Sequence, residues 1–174
     1  MKNLVIGQSG GPTAVINASL YGAVKAFRES GADGHVLGMI NGIEGFLADH
    51  VMDLSTDLSD KELELLKLTP AAYLGSCRYK LPADLDSEVY PAIFDNFREM
   101  NIGYFLYVGG NDSMDTVDKL SRYAEKIGSD VKFIGIPKTI DNDLVLTDHT
   151  PGFGSAAKYV ASTVREIVLD ASVY

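Results

Sequence analysis

The chain holds a single cysteine, Cys77, in 174 residues. No disulfide can form within it, and a reducing, cytoplasmic setting is the simple expectation. Cys77 itself reads as a small buried or half-buried residue. No apolar run approaches the roughly 20 residues that cross a bilayer, so no membrane partner is expected. The opening Met1-Lys2-Asn3-Leu4 turns into polar Gly/Ser sequence after Ile6, which is not the form of a signal peptide. Positive charge is scarce: 15 lysines and arginines stand against 24 acids, a formal net charge of −9. That balance argues against nucleic acid as a partner, because a phosphate backbone selects a basic face. The three histidines, His35, His50 and His149, are scattered and lack metal-ligand spacing. Neither an internal repeat nor a low-complexity linker interrupts the chain. What is present is ordinary globular material, 46% hydrophobic and 22% charged, long enough for one domain with a core.

Apolar runs and helical stripes alternate along the chain. Leu4-Val5-Ile6-Gly7 reads as a strand, followed by Ile16, Leu20, Ala23, Val24 and Phe27 at helical spacing. His35 to Ile40 reads as a second strand, and Asn41, Gly42 and Gly45 as a loop. Ser59-Asp60-Lys61-Glu62 is a capping box opening a short helix with Leu63 and Leu66. Tyr90, Ile93, Phe94 and Phe97 stripe a longer helix. Tyr104 to Val108 and Lys132 to Ile136 read as strands covered on both faces. Val117, Leu120, Ala124 and Ile127 stripe the helix between them, and Ala157, Val160, Ala161, Val164, Ile167 and Val168 the last one. Alternation of this kind predicts an α/β domain: a three-layer, Rossmann-like arrangement with a mainly parallel sheet. Ligands in such sheets sit beyond the carboxyl ends of the strands.

Three loops at that edge carry unusual chemistry. Gly7-Gln8-Ser9-Gly10-Gly11-Pro12-Thr13 has adjacent glycines that let backbone N–H groups approach an anion at a helix start, with Pro12 suited to the first helical turn. It is equally a plain strand-to-helix turn. Gly109-Gly110-Asn111-Asp112-Ser113 offers Asn111 and Asp112 as oxygens near a Mg²⁺-bound phosphate, or Asp112 or Ser113 as a simple N-cap. Pro137-Lys138-Thr139-Ile140-Asp141-Asn142-Asp143 packs a lysine, a threonine and two carboxylates into one turn. The lysine neutralises phosphate charge, one carboxylate takes a proton and the other holds a metal. The bland alternative makes Lys138 a solvated charge and Thr139 and Asp143 turn residues. A fourth segment, Leu74-Gly75-Ser76-Cys77-Arg78-Tyr79-Lys80, offers Arg78 as a bidentate phosphoryl clamp or as a surface charge.

Together these loops resemble phosphofructokinase, essentially from end to end. Ser9-Gly10-Gly11 with Asn17 resembles that family's first phosphate loop. Leu74-Gly75-Ser76-Cys77-Arg78 resembles its Gly-Ser-Ala-Arg segment, and Gly109-Gly110-Asn111-Asp112-Ser113 its Gly-Gly-Asp loop. Thr139-Ile140-Asp141-Asn142-Asp143 matches its most distinctive motif without a change. The resemblance implies phosphoryl transfer to the C1 hydroxyl of fructose 6-phosphate with Mg²⁺ as cofactor. By motif, Asp141 is the catalytic base and Thr139 and Asp141 contact the sugar phosphate. Gly11, Arg78 and Gly110 hold the donor's phosphoryl groups. Asn111, Asp112 and Asp143 form the metal region.

Two positions speak to the donor. ATP-dependent relatives carry glycine where this chain has Asp112 and Lys138; aspartate and lysine are the pattern of the pyrophosphate-dependent branch. Asp112 would crowd and repel a nucleotide's α-phosphate, and Lys138 would neutralise a small, highly charged donor. The expected donor is therefore pyrophosphate; an ATP-dependent enzyme and a non-catalytic phosphate-binding module are the alternatives. Asn111 departs from the family, which carries aspartate there. The second, sugar-phosphate lobe with its Met-Gly-Arg motif is not in this sequence. Residues 1–174 are thus expected to form a donor-phosphate lobe with little turnover of its own. The resemblance also implies a homo-oligomer, dimer or tetramer, for a full-length form.

Overall fold

The computed structural model describes residues 2–173. In chain order the elements are β1 (Asn3–Gln8), α1 (Ile16–Glu29), β2 (Val36–Met39), α2 (Gly42–Leu47), β3 (Val51–Asp53) and α3 (Asp60–Leu66). Then come α4 (Val89–Glu99), β4 (Ile102–Gly109), α5 (Asn111–Ile127), β5 (Lys132–Pro137) and α6 (Phe153–Ala171). The sheet runs β3-β2-β1-β4-β5. Its neighbours are parallel except β3, which pairs antiparallel with β2. The three-layer α/β expectation holds.

Each face of the sheet buries its own cluster. On one side Ile16, Leu20 and Val24 of α1 and Leu63 and Leu66 of α3 meet Leu4, Ile6, Leu106 and Val108. On the other, α2, α4 and α5 meet Val5, Phe105 and Tyr107. Alternate strand residues point to opposite faces, so β1 and β4 supply both clusters and read as unbroken apolar runs. Phe97, 2% exposed, is the hub of the second cluster. Its ring lies 5.1 Å from Phe94, 5.4 Å from Phe46 and 5.6 Å from Phe105. The Ser59 capping box forms as the sequence predicts, with Ser59 Oγ accepting from the Glu62 amide and the Glu62 carboxylate accepting from the Ser59 amide.

Four local expectations are corrected. The stretch read as a loop at Asn41, Gly42 and Gly45 is the short helix α2 followed by β3. Its glycines serve close packing: a Cβ at Gly45 would stand 1.6 Å from the Ile40 carbonyl oxygen. Pro12 lies outside the first helical turn, because α1 begins at Ile16. β5 is an edge strand with Ile134 half exposed, rather than one covered on both faces. The stripe on α6 forms, yet none of its residues is buried; Val160, Val164 and Ile167 all lie more than half exposed.

Replacing Phe97 by alanine removes the hub's ring contacts and leaves a cavity, at a cost of about 3–5 kcal/mol. Urea unfolding followed by circular dichroism should show the midpoint fall by a corresponding amount with the slope unchanged.

Candidate active site

Three strands deliver their loops to one edge. Gln8 at the end of β1 is in register with Val108, and Gly109 at the end of β4 with Pro137 of β5. The ladder continues one step further, with the Ser9 amide donating to the Val108 carbonyl and the Lys138 amide to the Gly109 carbonyl, each at 2.9 Å. All three polar loops therefore leave side by side. The β4 exit is tight: a Cβ at Gly109 would fall 1.9 Å from Ser113 Oγ.

The fourth segment, Leu74 to Lys80, lies in a stretch, 69–81, that belongs to no strand and is fastened by buried amides. Gln8 Nε2 donates to Asn17 Oδ1 at 2.9 Å, and Gln8 Oε1 accepts from the Leu74 amide at 2.9 Å. Asn17 accepts from the Tyr73 amide at 2.8 Å and donates to the Thr69 carbonyl at 2.9 Å. Closer to the edge, the Gly10 amide donates to the Cys77 carbonyl at 3.1 Å and Ser76 Oγ to the Gly10 carbonyl at 2.5 Å. Arg78 is thereby set across from the glycine loop. Cys77 is buried beside the Tyr107 hydroxyl, as the small buried residue expected of it.

Two adjoining cavities result. One, of about 550 Å³, is lined by Gly10, Gly11, Arg78, Gly110, Asn111, Asp112 and Lys138, among others. The second, of about 250 Å³, shares Gly11, Gly110, Asn111 and Lys138 and adds Thr139 and Asp141. A Cβ at Gly11 would meet nothing within 4 Å, so this glycine leaves the shared region open. Gly110 is the N-cap of α5 and Asn111 its first residue, so neither Asp112 nor Ser113 caps it. This helix start lines the larger cavity, where its positive end favours an anion.

Lys138 is not the solvated charge that the bland reading allowed. It is 5% exposed, and its ammonium donates to the Gly11 carbonyl. Burial, reinforced by the nearby Arg78 guanidinium, holds its pKa below the ordinary lysine value. No carboxylate stands within ion-pair distance of it among the described residues. Asp112 instead pairs with Lys80 at 3.2 Å. Asn111 Nδ2 donates to Asp143 Oδ2 at 3.0 Å, so an amide oxygen and a carboxylate stand together, a sparse set suited to an ion that keeps its waters.

The Thr139–Thr150 loop is self-braced. Thr139 Oγ1 accepts from the Asp141 amide at 3.0 Å, and the Thr139 amide donates to the Pro151 carbonyl at 2.9 Å. Asn142, at a φ of 55°, accepts from the Thr150 amide at 2.9 Å and donates to the Asp148 carbonyl at 3.1 Å. Asp141 is left exposed at the rim of the smaller cavity. The residues that position Arg78, namely Gln8, Asn17 and Ser76, were not identified as such in the sequence. An amide ending an apolar strand, Gln8, was the available signal.

The family model for phosphofructokinase matches residues 3–173. Pyrophosphate–fructose 6-phosphate 1-phosphotransferase of Halomonas elongata is 46% identical over 171 residues, 97% of this chain and 40% of the relative. Sulfofructose kinase of Alkalicoccus urumqiensis is 39% identical over 96% of this chain and 42% of its own length. The crystal structure of pyrophosphate-dependent phosphofructokinase from Marinobacter aquaeolei superposes with a TM-score of 0.88 at 44% identity, covering 98% of this chain and 42% of that one. The chain thus spans about 40% of the length of these relatives.

A buried cation facing no carboxylate costs folding energy. Lys138→Met should therefore stabilise the chain, by about 1 kcal/mol or roughly 2–4 °C in melting temperature. The unfolded chain binds more protons between the lowered Lys138 pKa and 10.5, so the parent's stability rises with pH across that window. The gain from methionine is full at neutral pH and shrinks toward pH 10.5. A melting temperature below the parent's at pH 7 would contradict this account.

Proposed function

The chain belongs to the phosphofructokinase family, and we propose that it supplies the donor side of phosphoryl transfer from pyrophosphate to the C1 hydroxyl of fructose 6-phosphate. The observation that carries this reading is the convergence of Lys138, Arg78, Gly11 and Gly110 on one cavity that opens into the space beside Asp141. Phosphoryl transfer asks a protein for position and charge neutralisation, with one group orienting the nucleophile. The arrangement supports those demands residue by residue.

Lys138 and Arg78 neutralise the transferring phosphoryl group from one side; burial strengthens the field of Lys138, while Arg78 meets the donor from the exposed wall. Gly11 and Gly110 let backbone approach it without a Cβ in the way. Asp141, held at the rim by the hydrogen bond from its backbone N–H to Thr139 Oγ1, accepts the hydroxyl proton of the sugar as the oxygen attacks. Thr139 and Asp141 line the space where that hydroxyl must arrive. Asn111 and Asp143 are the residues that would hold Mg²⁺, which when bound offsets the charge of the donor's phosphates. Residues 1–174 act in this reading as a donor-phosphate lobe.

The choice of pyrophosphate over ATP rests on Asp112 and Lys138. Lys138 lines the donor cavity with its ammonium at the Gly11 carbonyl, and Asp112 sets a carboxylate in the first turn of α5, where a nucleotide's inner phosphates would otherwise approach the helix start. The similarity to the Halomonas elongata and Marinobacter aquaeolei proteins supports the same choice.

Phosphorus NMR titration of this chain with magnesium pyrophosphate and with MgATP tests the reading. Pyrophosphate should bind at least about tenfold tighter than ATP, a difference of about 1.4 kcal/mol. Asp112→Gly combined with Lys138→Gly should lower pyrophosphate affinity by a similar factor, whereas Asp141→Asn should leave it within about twofold. Undiminished pyrophosphate binding in the double variant would sink the donor assignment.

A further inference from the structure

The donor cavity contains a third basic side chain besides Arg78 and Lys138. Lys80 lines it together with Arg78 and Lys138, so three cations and one carboxylate, Asp112, face the same space in a chain whose net charge is −9. The positive charge gathered here runs against the charge of the whole molecule.

Lys80 is also carried on backbone fixed at both ends. Upstream, the Cys77 carbonyl accepts from the Gly10 amide at 3.1 Å. Downstream, Leu81 is 3% exposed, and its carbonyl accepts from Lys119 Nζ of α5 at 3.0 Å. These two contacts restrain the backbone that carries Lys80. That side chain reaches over the start of α5 to Asp112, at 3.2 Å.

Folding does not explain the pair. The Lys80 and Asp112 side chains are 72% and 75% exposed, and an ion pair in that setting contributes little to stability. Its position explains it better. Lys138, with Arg78 nearby, also lines the smaller cavity that holds Asp141. Lys80 and its partner Asp112 line only the larger one, away from the proposed base.

We propose that Lys80 is a further donor-binding residue, which contacts the phosphate of pyrophosphate farther from the transferring group while its pairing with Asp112 closes the outer end of the cavity. The proposal rests on the donor reading above. It divides a two-phosphate anion between two sets of cations: Arg78 and Lys138 for the phosphoryl group that moves, Lys80 for the one that leaves. Asp112 has a dual effect, since it holds the Lys80 ammonium in place and adds a negative charge that an extended polyphosphate would meet.

Phosphorus NMR titration with magnesium pyrophosphate at low ionic strength, on the parent chain and on Lys80→Met, Lys80→Arg, Asp112→Asn and Lys80→Met with Asp112→Asn, tests it. Lys80→Met should weaken pyrophosphate binding roughly tenfold, and Lys80→Arg should restore most of the loss. The loss should persist when Lys80→Met is made in the Asp112→Asn background, because the contact is with the donor itself. Lys67→Met, which removes an exposed lysine on another surface, should change nothing. A parent that binds pyrophosphate with no loss in Lys80→Met overturns the role of Lys80. So does a loss that vanishes in the Asp112→Asn background, or one matched by Lys67→Met. A parent that binds no pyrophosphate overturns the donor reading itself, and this proposal with it.

Discussion

Two buried amides decide where the chemistry can be. Gln8 and Asn17 are bonded to each other and between them hold the backbone at Thr69, Tyr73 and Leu74. The segment they hold has no place in the sheet, so without them its backbone groups would need water or a different path. Each amide has its oxygen and nitrogen engaged, which is what makes a buried polar pair tolerable. Their geometric consequence is that Ser76, Cys77 and Arg78 run directly opposite Gly10 and Gly11. The larger cavity, the proposed donor site, is the gap between a loop that the sheet dictates and a segment that these amides dictate.

That gap concentrates what the rest of the molecule avoids. An acidic chain places Arg78, Lys80 and Lys138 around one space, and among the described residues the most buried of them, Lys138, has a carbonyl as its partner and no acid. A cation so placed is poorly solvated and unpaired by any acid, so the folded state carries a cost that two well-packed hydrophobic clusters must offset. Edge geometry makes it possible: Lys138 is tied to β4 through its amide, so its side chain is directed toward the glycine loop whatever its charge prefers.

Much of this was legible in the sequence, and the exceptions have physical causes. The strands β1 and β4 were readable because both of their faces are buried, which leaves an uninterrupted apolar run. The helices α4 and α5 were readable from one-sided stripes, and α3 from its capping box. The loops at the sheet edge were recognisable by their density of glycine and charge. The helix α2 was not, since its glycines look like loop residues until the Ile40 carbonyl is seen lying against Gly45. The burial of Lys138 was not legible either, because it depends on Gly11, 127 residues away in sequence. Nor was the pairing of Asp112: its neighbours in sequence suggested a cap or a metal ligand, and its partner comes from a segment placed by the Gln8–Asn17 bond.

The amide at position 111 follows from the same electrostatics. An aspartate there would set a second carboxylate about 3 Å from Asp143, with Asp112 adjoining. Carboxylates that close repel unless a proton or a cation lies between them. Asn111 replaces that repulsion with a hydrogen bond from its amide nitrogen while leaving its carbonyl oxygen as a neutral ligand. The loop is thus ordered without an ion, and it offers one carboxylate and one amide oxygen rather than a cluster of acids. A site of that kind holds a divalent cation weakly alone and much better when the anionic donor completes the coordination. In the proposed reading the lysines and the arginine serve the donor, while Asn111 and Asp143 hold the cation that the donor brings.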